Sequence, residues 1–161
     1  MSETPSVPTV HVRLATVDDL PRVATLFDAY RQFYGASSNI AAAHTFLAAR
    51  ADRRESVLLV AEDGRATLGF AQLFPLFSSV GLGPIFLLND LFVAADARRR
   101  GVGGRLLEAA AAHAREAGAL RIEIATQHTN VHALSLYQAR GYAVDTAFAH
   151  LSLPLVAARP A

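Results

Sequence analysis

The chain has 161 residues, 52% of them hydrophobic and 18% charged, with 15 Lys+Arg against 14 Asp+Glu and a net charge of +1. That is enough apolar material for the core of one compact domain, with disorder left to the ends. The near balance of charge argues against a nucleic-acid binder, which spreads positive charge over a face; no apolar run reaches the roughly 20 residues of a membrane span; and the absence of cysteine excludes disulfides, thiolate metal sites and a cysteine nucleophile.

The opening "MSETPSVPT" is polar and proline-containing, with no basic region leading into an apolar one. We therefore expect loose tails over 1–8 and 154–161, one domain over 9–153, and a cytoplasmic protein. "VHVRLAT" alternates like a strand. Thr16, Asp18 and Asp19 then read as the capped first turn of a helix that runs to about Tyr34 and buries Leu20, Val23, Leu26, Phe27 and Tyr30. Asn39 opens a second helix over "IAAAHTFLAARADRR". "SVLLVAEDGRATLGFAQLFPLF" reads as a hairpin turning at Asp63-Gly64. "VGLGP" turns the chain into "PIFLLNDLFV", whose nearly unbroken apolar run is that of a strand buried on both faces.

Three arginines follow, Arg98 to Arg100, and then Gly101, Gly103 and Gly104 open an alanine-rich helix that stops at Gly118. "LRIEIAT" is the next strand, Asn130 caps a helix ending near Arg140 and Gly141, and "YAVDTAFAHLSL" supplies one or two last strands. The expected fold class is α/β: a single-domain mixed sheet in the order β-α-α-β-β-β-α-β-α-β-β, with its ligand at the carboxyl end of the 84–93 strand.

A strand, a glycine-spaced turn and a helix make an anion site, because successive amide N–H groups and the helix dipole converge on one point. The spacing fits neither G-x-x-x-x-G-K-[ST] nor G-x-G-x-x-G. What remains is a pyrophosphate held mainly by main-chain amides, with the arginines adding charge around it. A solvated arginine-rich turn is the bland alternative.

Arg98-x-x-Gly101-x-Gly103 after an apolar strand resembles the acetyl-CoA pyrophosphate loop of the GNAT superfamily of N-acetyltransferases, and "NVHALSLYQARGY" at 130–142 is similar to a second segment of that family. The likeness covers about residues 9–153. "LLNDLFV" and "YRQFYG" look most like its polyamine and histone-type branch. The resemblance implies that the amides of Arg99, Arg100, Gly101, Val102, Gly103 and Gly104 hold the diphosphate of coenzyme A. It further implies that main-chain groups of Leu91, Phe92 and Val93 pair with the pantetheine arm like an added strand, and that Asn130 contacts the cofactor. It also implies a homodimer.

The same resemblance makes Tyr137 the general acid that protonates the departing sulfur; an isolated tyrosine in such a helix would ordinarily just pack on the sheet. Relatives of the polyamine branch carry glutamate where this chain has Asn89. Asparagine cannot take a proton, so Asn89 is expected to fix a relaying water, while Asp90 faces the other side of the strand or serves as a carboxylate satisfied by backbone N–H groups. A backbone N–H at Leu91 or Phe92 is placed to stabilise the oxyanion. Tyr30, Phe33 and Tyr34 either line an amine channel or belong to the core. His128 and His132 have metal-ligand spacing only on a continuous helix, and Thr129-Asn130 between them reads as a helix start, so no metal is expected.

The function so implied is acetyl transfer from acetyl-CoA to a primary amine, a polyamine, small amine or lysine-like group, by direct attack through a tetrahedral intermediate. A coenzyme A sensor that has lost turnover is the rival that Asn89 favours and Tyr137 opposes. A nucleic-acid module built on Arg98 to Arg100 is the third.

Overall fold

The computed structural model describes residues 9–156. Their sheet has five strands in the order β1-β2-β3-β4-β5, with β1 His11–Leu14, β2 Val57–Glu62, β3 Thr67–Ser78, β4 Gly83–Val93 and β5 Ile122–Ile124. All neighbours are antiparallel except β4 and β5. Helices α1 (Leu20–Phe33) and α2 (Ile40–Asp52) cover one face; α3 (Val102–Glu116) covers the other, with α4 (Val131–Gln138) beside it.

Local chemistry accounts for these boundaries. Asn39 and Asn130 cap α2 and α4, each side-chain oxygen accepting from the amide three residues on, Ala42 at 2.9 Å and Ala133 at 3.2 Å. The β2–β3 turn lies where Asp63-Gly64 puts it, with Gly64 at φ +79° and the Asp63 carboxylate accepting from the amides of Arg65 and Ala66. A 3₁₀ turn, Val17–Asp19, precedes α1. There the nearly inaccessible Asp19 accepts from Arg13 at 2.7 Å and from Arg22 at 3.0 Å, pinning β1 to the start of the helix.

Two apolar layers sandwich the sheet. Val23, Phe27, Leu47 and Phe70 fill the α1–α2 side; Leu73, Leu88, Leu106, Leu107 and Ala110 fill the α3 side. The link from α1 to α2 is organised by a buried carboxylate, Asp28, which accepts from the Asn39 amide and the Ser38 hydroxyl at 2.7 Å each, and from Gln32 and Arg31. These donors, the Asn39 amide foremost, hold its carboxyl below the ordinary range. In acid the folded state therefore binds fewer protons than the unfolded chain, so this stabilisation is complete above about pH 4 and is lost as pH falls through the folded-state value. Asp28→Ala is expected to lower the melting temperature at neutral pH and to flatten its decline below about pH 4. Circular dichroism melts across that range check it, and a variant with the wild-type slope would remove Asp28 from this role.

The class and the element order through α4 agree with the sequence reading. The strands expected in "YAVDTAFAHLSL" are not formed in the structure. Instead the Asp145 carboxylate accepts from the amides of Ala147 and Phe148 at 2.8 and 3.1 Å, a local turn that competes with ladder pairing at the middle of the alternating run. Val144, Phe148, Leu151 and Leu153 stay exposed, so no apolar burial draws the segment onto the outer edge of β5. The tail expected over 1–8, and the part of the one expected over 154–161 that follows residue 156, lie outside the described residues.

Candidate functional site

Strand β4 positions the site, and two irregularities make it a site. The first is a β-bulge. Gln72 of β3 is opposite Asp90 while the next residue, Leu73, is opposite Leu88, so Asn89 is the extra residue of β4. Side-chain parity flips there: Leu88 and Leu91 both pack on the α3 side, and Phe92 joins Phe70 on the α1 side. The second is a split in the sheet. β4 and β5 pair only over Phe86–Ile122, Leu87–Glu123 and Leu88–Ile124. From Asn89 to Val93, β4 keeps β3 on one side and, among the described residues, has no strand on the other. Unpaired strand edge is a template for an extended amide-bearing ligand.

The loop after β4 closes one end of this gap. Among the described residues no backbone amide from Arg98 to Gly104 finds an acceptor; the first helical bond is Arg105 to the Gly101 carbonyl. Gly101 is the N-cap of α3 at φ +74°, with open space where a Cβ would project. Gly103 and Gly104 have a different reason to be small: a Cβ at Gly103 would sit 3.1 Å from Leu136, and one at Gly104 would collide with Arg140, so they let α4 approach α3. The arginines are not a free basic patch. Arg98 lies over the Phe92 ring and donates to the Val93 carbonyl at 3.3 Å, and Arg100 pairs with Asp63 at 2.9 Å, tying the loop to the β2–β3 turn. Arg99, at φ +61°, makes no ion pair among the described residues.

The gap is flanked by hydroxyls and a buried carboxylate. Tyr137 reaches it from α4, 8% exposed, its ring 5.9 Å from Tyr142. Its hydroxyl makes no hydrogen bond among the described residues, and burial, helped by Tyr34 and Tyr142, pushes its pKa up to about 12. From α1 come Tyr30 and Tyr34, ring centroids 5.1 Å apart, with Phe33 stacked edge-on beyond Tyr34 and 58% exposed. Phe33 and Tyr34 are thus surface aromatics at the mouth, not core. Tyr30 was assigned to the helix's apolar side by the sequence; it packs against Phe70 and Phe92 and also donates from its hydroxyl to the Asn89 carbonyl at 3.2 Å.

Asn89 is exposed and Asp90 only 4% so, yet their side chains meet: the Asn89 amide nitrogen donates to Asp90 Oδ1 at 3.1 Å. The other donor to Asp90 is Gln72 Nε2, at 3.0 Å from Oδ2. The donors that satisfy Asp90 are therefore side chains rather than the backbone N–H groups expected. Burial raises its pKa, and the hydrogen bonds from Asn89 and Gln72 oppose that rise. Gln72 carries no sequence signal of its own, because its contact is set by the register of two strands. Asn130 spends both ends of its carboxamide on capping α4 and on Thr126, 3.3 Å away. No group of three potential metal ligands occurs among the described residues.

A central strand with a split edge, a loop of acceptor-free amides at a helix start and a buried tyrosine on the α4 side form the candidate site. The family model described as the acetyltransferase (GNAT) family matches residues 23–142. The chain is 45% identical over 144 residues to the uncharacterized N-acetyltransferase YhfO of Bacillus subtilis, covering 89% of this chain and 97% of that protein. It is 38% identical over 100 residues to an aminoglycoside N(6')-acetyltransferase type 1 of Klebsiella aerogenes, 60% of this chain and 65% of that one. A solved structure of a probable acetyltransferase superposes with a TM-score of 0.85 at 39% identity, covering 91% of this chain and 98% of its own. The chain belongs to the GNAT family and is an enzyme of the N-acetyltransferase class.

Proposed function

We propose that the protein moves an acetyl group from acetyl-CoA to a primary amine, a polyamine, small amine or lysine-like group, by direct attack through a tetrahedral intermediate. The observation that carries this reading is the split between β4 and β5, with acceptor-free amides at one end and, on the α4 side, the buried Tyr137, whose hydroxyl bonds nothing among the described residues. The loop amides from Arg98 to Gly104 bind the diphosphate, and the edge of Leu91, Phe92 and Val93 lines up the arm. A main-chain N–H at Leu91 or Phe92 takes the negative charge that develops on the thioester oxygen.

An alkylamine has a reference pKa of about 10.4, so it arrives protonated near neutral pH and must lose a proton before attack. Asn89 and the Asp90 carboxylate behind it orient the nitrogen and the water that removes that proton. Tyr137 stands on the sulfur side. Tyr34 and Phe33 line the entrance for the amine. The exposed apolar side chains of the β3–β4 turn, Phe77, Val80 and Leu82, support a homodimer, which sedimentation at micromolar concentration checks.

Release of free thiol from acetyl-CoA, measured over polyamines, amino acids, aminoglycosides and lysine peptides, is the direct test. The likeness to an aminoglycoside N(6')-acetyltransferase puts aminoglycosides in that panel. Thiol release with a primary amine is expected. A protein that binds acetyl-CoA and acetylates nothing is the sensor that Asn89 favours; one that binds no acetyl-CoA is neither. Since Arg98 and Arg100 already have protein partners, replacing Arg98, Arg99 and Arg100 together by alanine is expected to raise the coenzyme A Kd by only about tenfold in calorimetry. Complete loss of binding by the folded triple variant would show that side chains rather than amides hold the anion.

A further inference from the structure

The buried network behind Asn89 has a direction. An ionised carboxylate only accepts, so both nitrogens that touch Asp90 must be donors: Gln72 Nε2 at 3.0 Å and Asn89 Nδ2 at 3.1 Å. Gln72 is 1% exposed and uses both ends of its carboxamide, since its oxygen accepts from the Ser56 hydroxyl at 3.3 Å. Its orientation cannot reverse without putting a carbonyl against a carboxylate in the interior of the sheet. With its nitrogen held at Asp90 by one of its two N–H groups, the exposed Asn89 side chain has its Oδ1, as the group's acceptor, turned away from that carboxylate.

We propose that Gln72, backed by Ser56, is a positioning residue for acetyl transfer: it holds the Asp90 carboxylate, and through it the Asn89 amide nitrogen, so that Asn89 presents its Oδ1 as a hydrogen-bond acceptor to the incoming amine. This rests on the acetyltransferase reading above. The chemistry requires that polarity. A neutral amine attacks through its lone pair, and its N–H groups need acceptors; an outward amide NH₂ would take up the lone pair instead. An acceptor on one N–H leaves the lone pair free to point at the thioester carbon. A residue that cannot accept a proton thereby orients the nucleophile at the position where relatives of the polyamine branch carry glutamate.

The groups facing Asp90 are Tyr30 from α1, Gln72 from β3 and Asn89 on its own strand, and no charged residue contributes to its titration. Protonating Asp90 adds a donor and releases the Asn89 amide, so kcat/KM for the amine falls as pH drops through the Asp90 pKa. Removing the Gln72 donor, which favours the ionised form, moves that acid limb to higher pH.

The test compares the wild type with Gln72→Met and Ser56→Ala by three readouts: acetyl-CoA affinity by calorimetry, amine KM and pH profile, and the Asn89 side-chain amide resonances, identified by their absence in Asn89→Asp. We expect Gln72→Met to keep its acetyl-CoA affinity, raise the amine KM about tenfold, the loss due to one misplaced hydrogen bond, and shift both the acid limb and the Asn89 resonances. Ser56→Ala moves them in the same direction by less. A folded Gln72→Met with wild-type resonances and acid limb overturns the inference alone. Should Gln72→Met fail to fold, unchanged resonances and acid limb in Ser56→Ala overturn it equally. Resonances that respond in a protein that binds acetyl-CoA but acetylates no amine would overturn its functional end together with the acetyltransferase reading.

Discussion

Tyr137→Phe is expected to lower turnover at saturating acetyl-CoA by about 10²-fold, toward the low end of what proton-transfer groups contribute, with coenzyme A affinity nearly unchanged. The ring, packed on Tyr142 and in contact with the α3-side core, stays; only a hydroxyl that bonds nothing among the described residues is removed. The pKa of about 12 sets the magnitude. It keeps Tyr137 protonated at neutral pH, as a donor must be, yet a thiol of pKa about 8.5 is the stronger acid, so complete transfer to the leaving sulfur is uphill. In the proposed mechanism the hydroxyl would therefore act chiefly by donating a hydrogen bond to sulfur as charge builds there, and the proton that ends on the thiol would come from the attacking amine nitrogen. Steady-state thiol release and calorimetry on the same preparation check both halves. Equal rates for the two proteins would remove Tyr137 from the chemistry.

Gly101→Val is expected to raise the coenzyme A Kd roughly 100-fold, equivalent to losing two charge-assisted hydrogen bonds. Its Cβ would enter open space at the start of α3, beside the amides that lack acceptors. Left-handed backbone adds a cost of about 1–2 kcal/mol that has nothing to do with the ligand. Gly118→Val separates the two effects, because Gly118 is also left-handed and open but lies at the far end of α3. Both variants should lose similar stability in denaturant, and only Gly101→Val should lose affinity. Matching affinities in the two would show that the loop amides do not approach the ligand. Gly103→Val is a poorer probe, since its side chain would press on Leu136.

Local chemistry was legible in the sequence. The Asp63-Gly64 turn, the Asn39 and Asn130 caps and the glycine-led start of α3 depend on side chains within a few residues of the backbone they serve. Tyr137 and the loop amides came from spacing that matched a family. Gln72 and the role of Tyr30 were not legible. A glutamine in an apolar strand and a tyrosine on an apolar helix face acquire their partners only through the pairing of β3 with β4 and the packing of α1 on the sheet. The bulge that exposes Asn89 and buries Asp90 is equally non-local, because "LLNDLFV" reads as regular until a partner strand is laid beside it. The partners of Arg100 and Arg98, Asp63 and Val93, were not legible for a related reason: they come from the β2–β3 turn and the end of β4. The last run misled by its alternation, which Asp145 interrupts.

The split sheet also bears on how the molecule holds together. β5 and α4, which carry Tyr137, join the rest of the sheet through a ladder of three residue pairs, while the β3–β4 ladder beside it runs the whole length of β4. In the function proposed above, a donor substrate seated in the cleft would serve as a removable strand, bonded to β4 on one side and walled by α4 on the other. By mass action such a ligand at a hundred times its Kd adds about 2.7 kcal/mol to the folded state, and it adds it at this seam. Amide hydrogen exchange should be fastest in β5 and α4 when the cleft is empty and slow there when it is filled, so that the half bearing Tyr137 is fastened in place by the molecule it is to act upon.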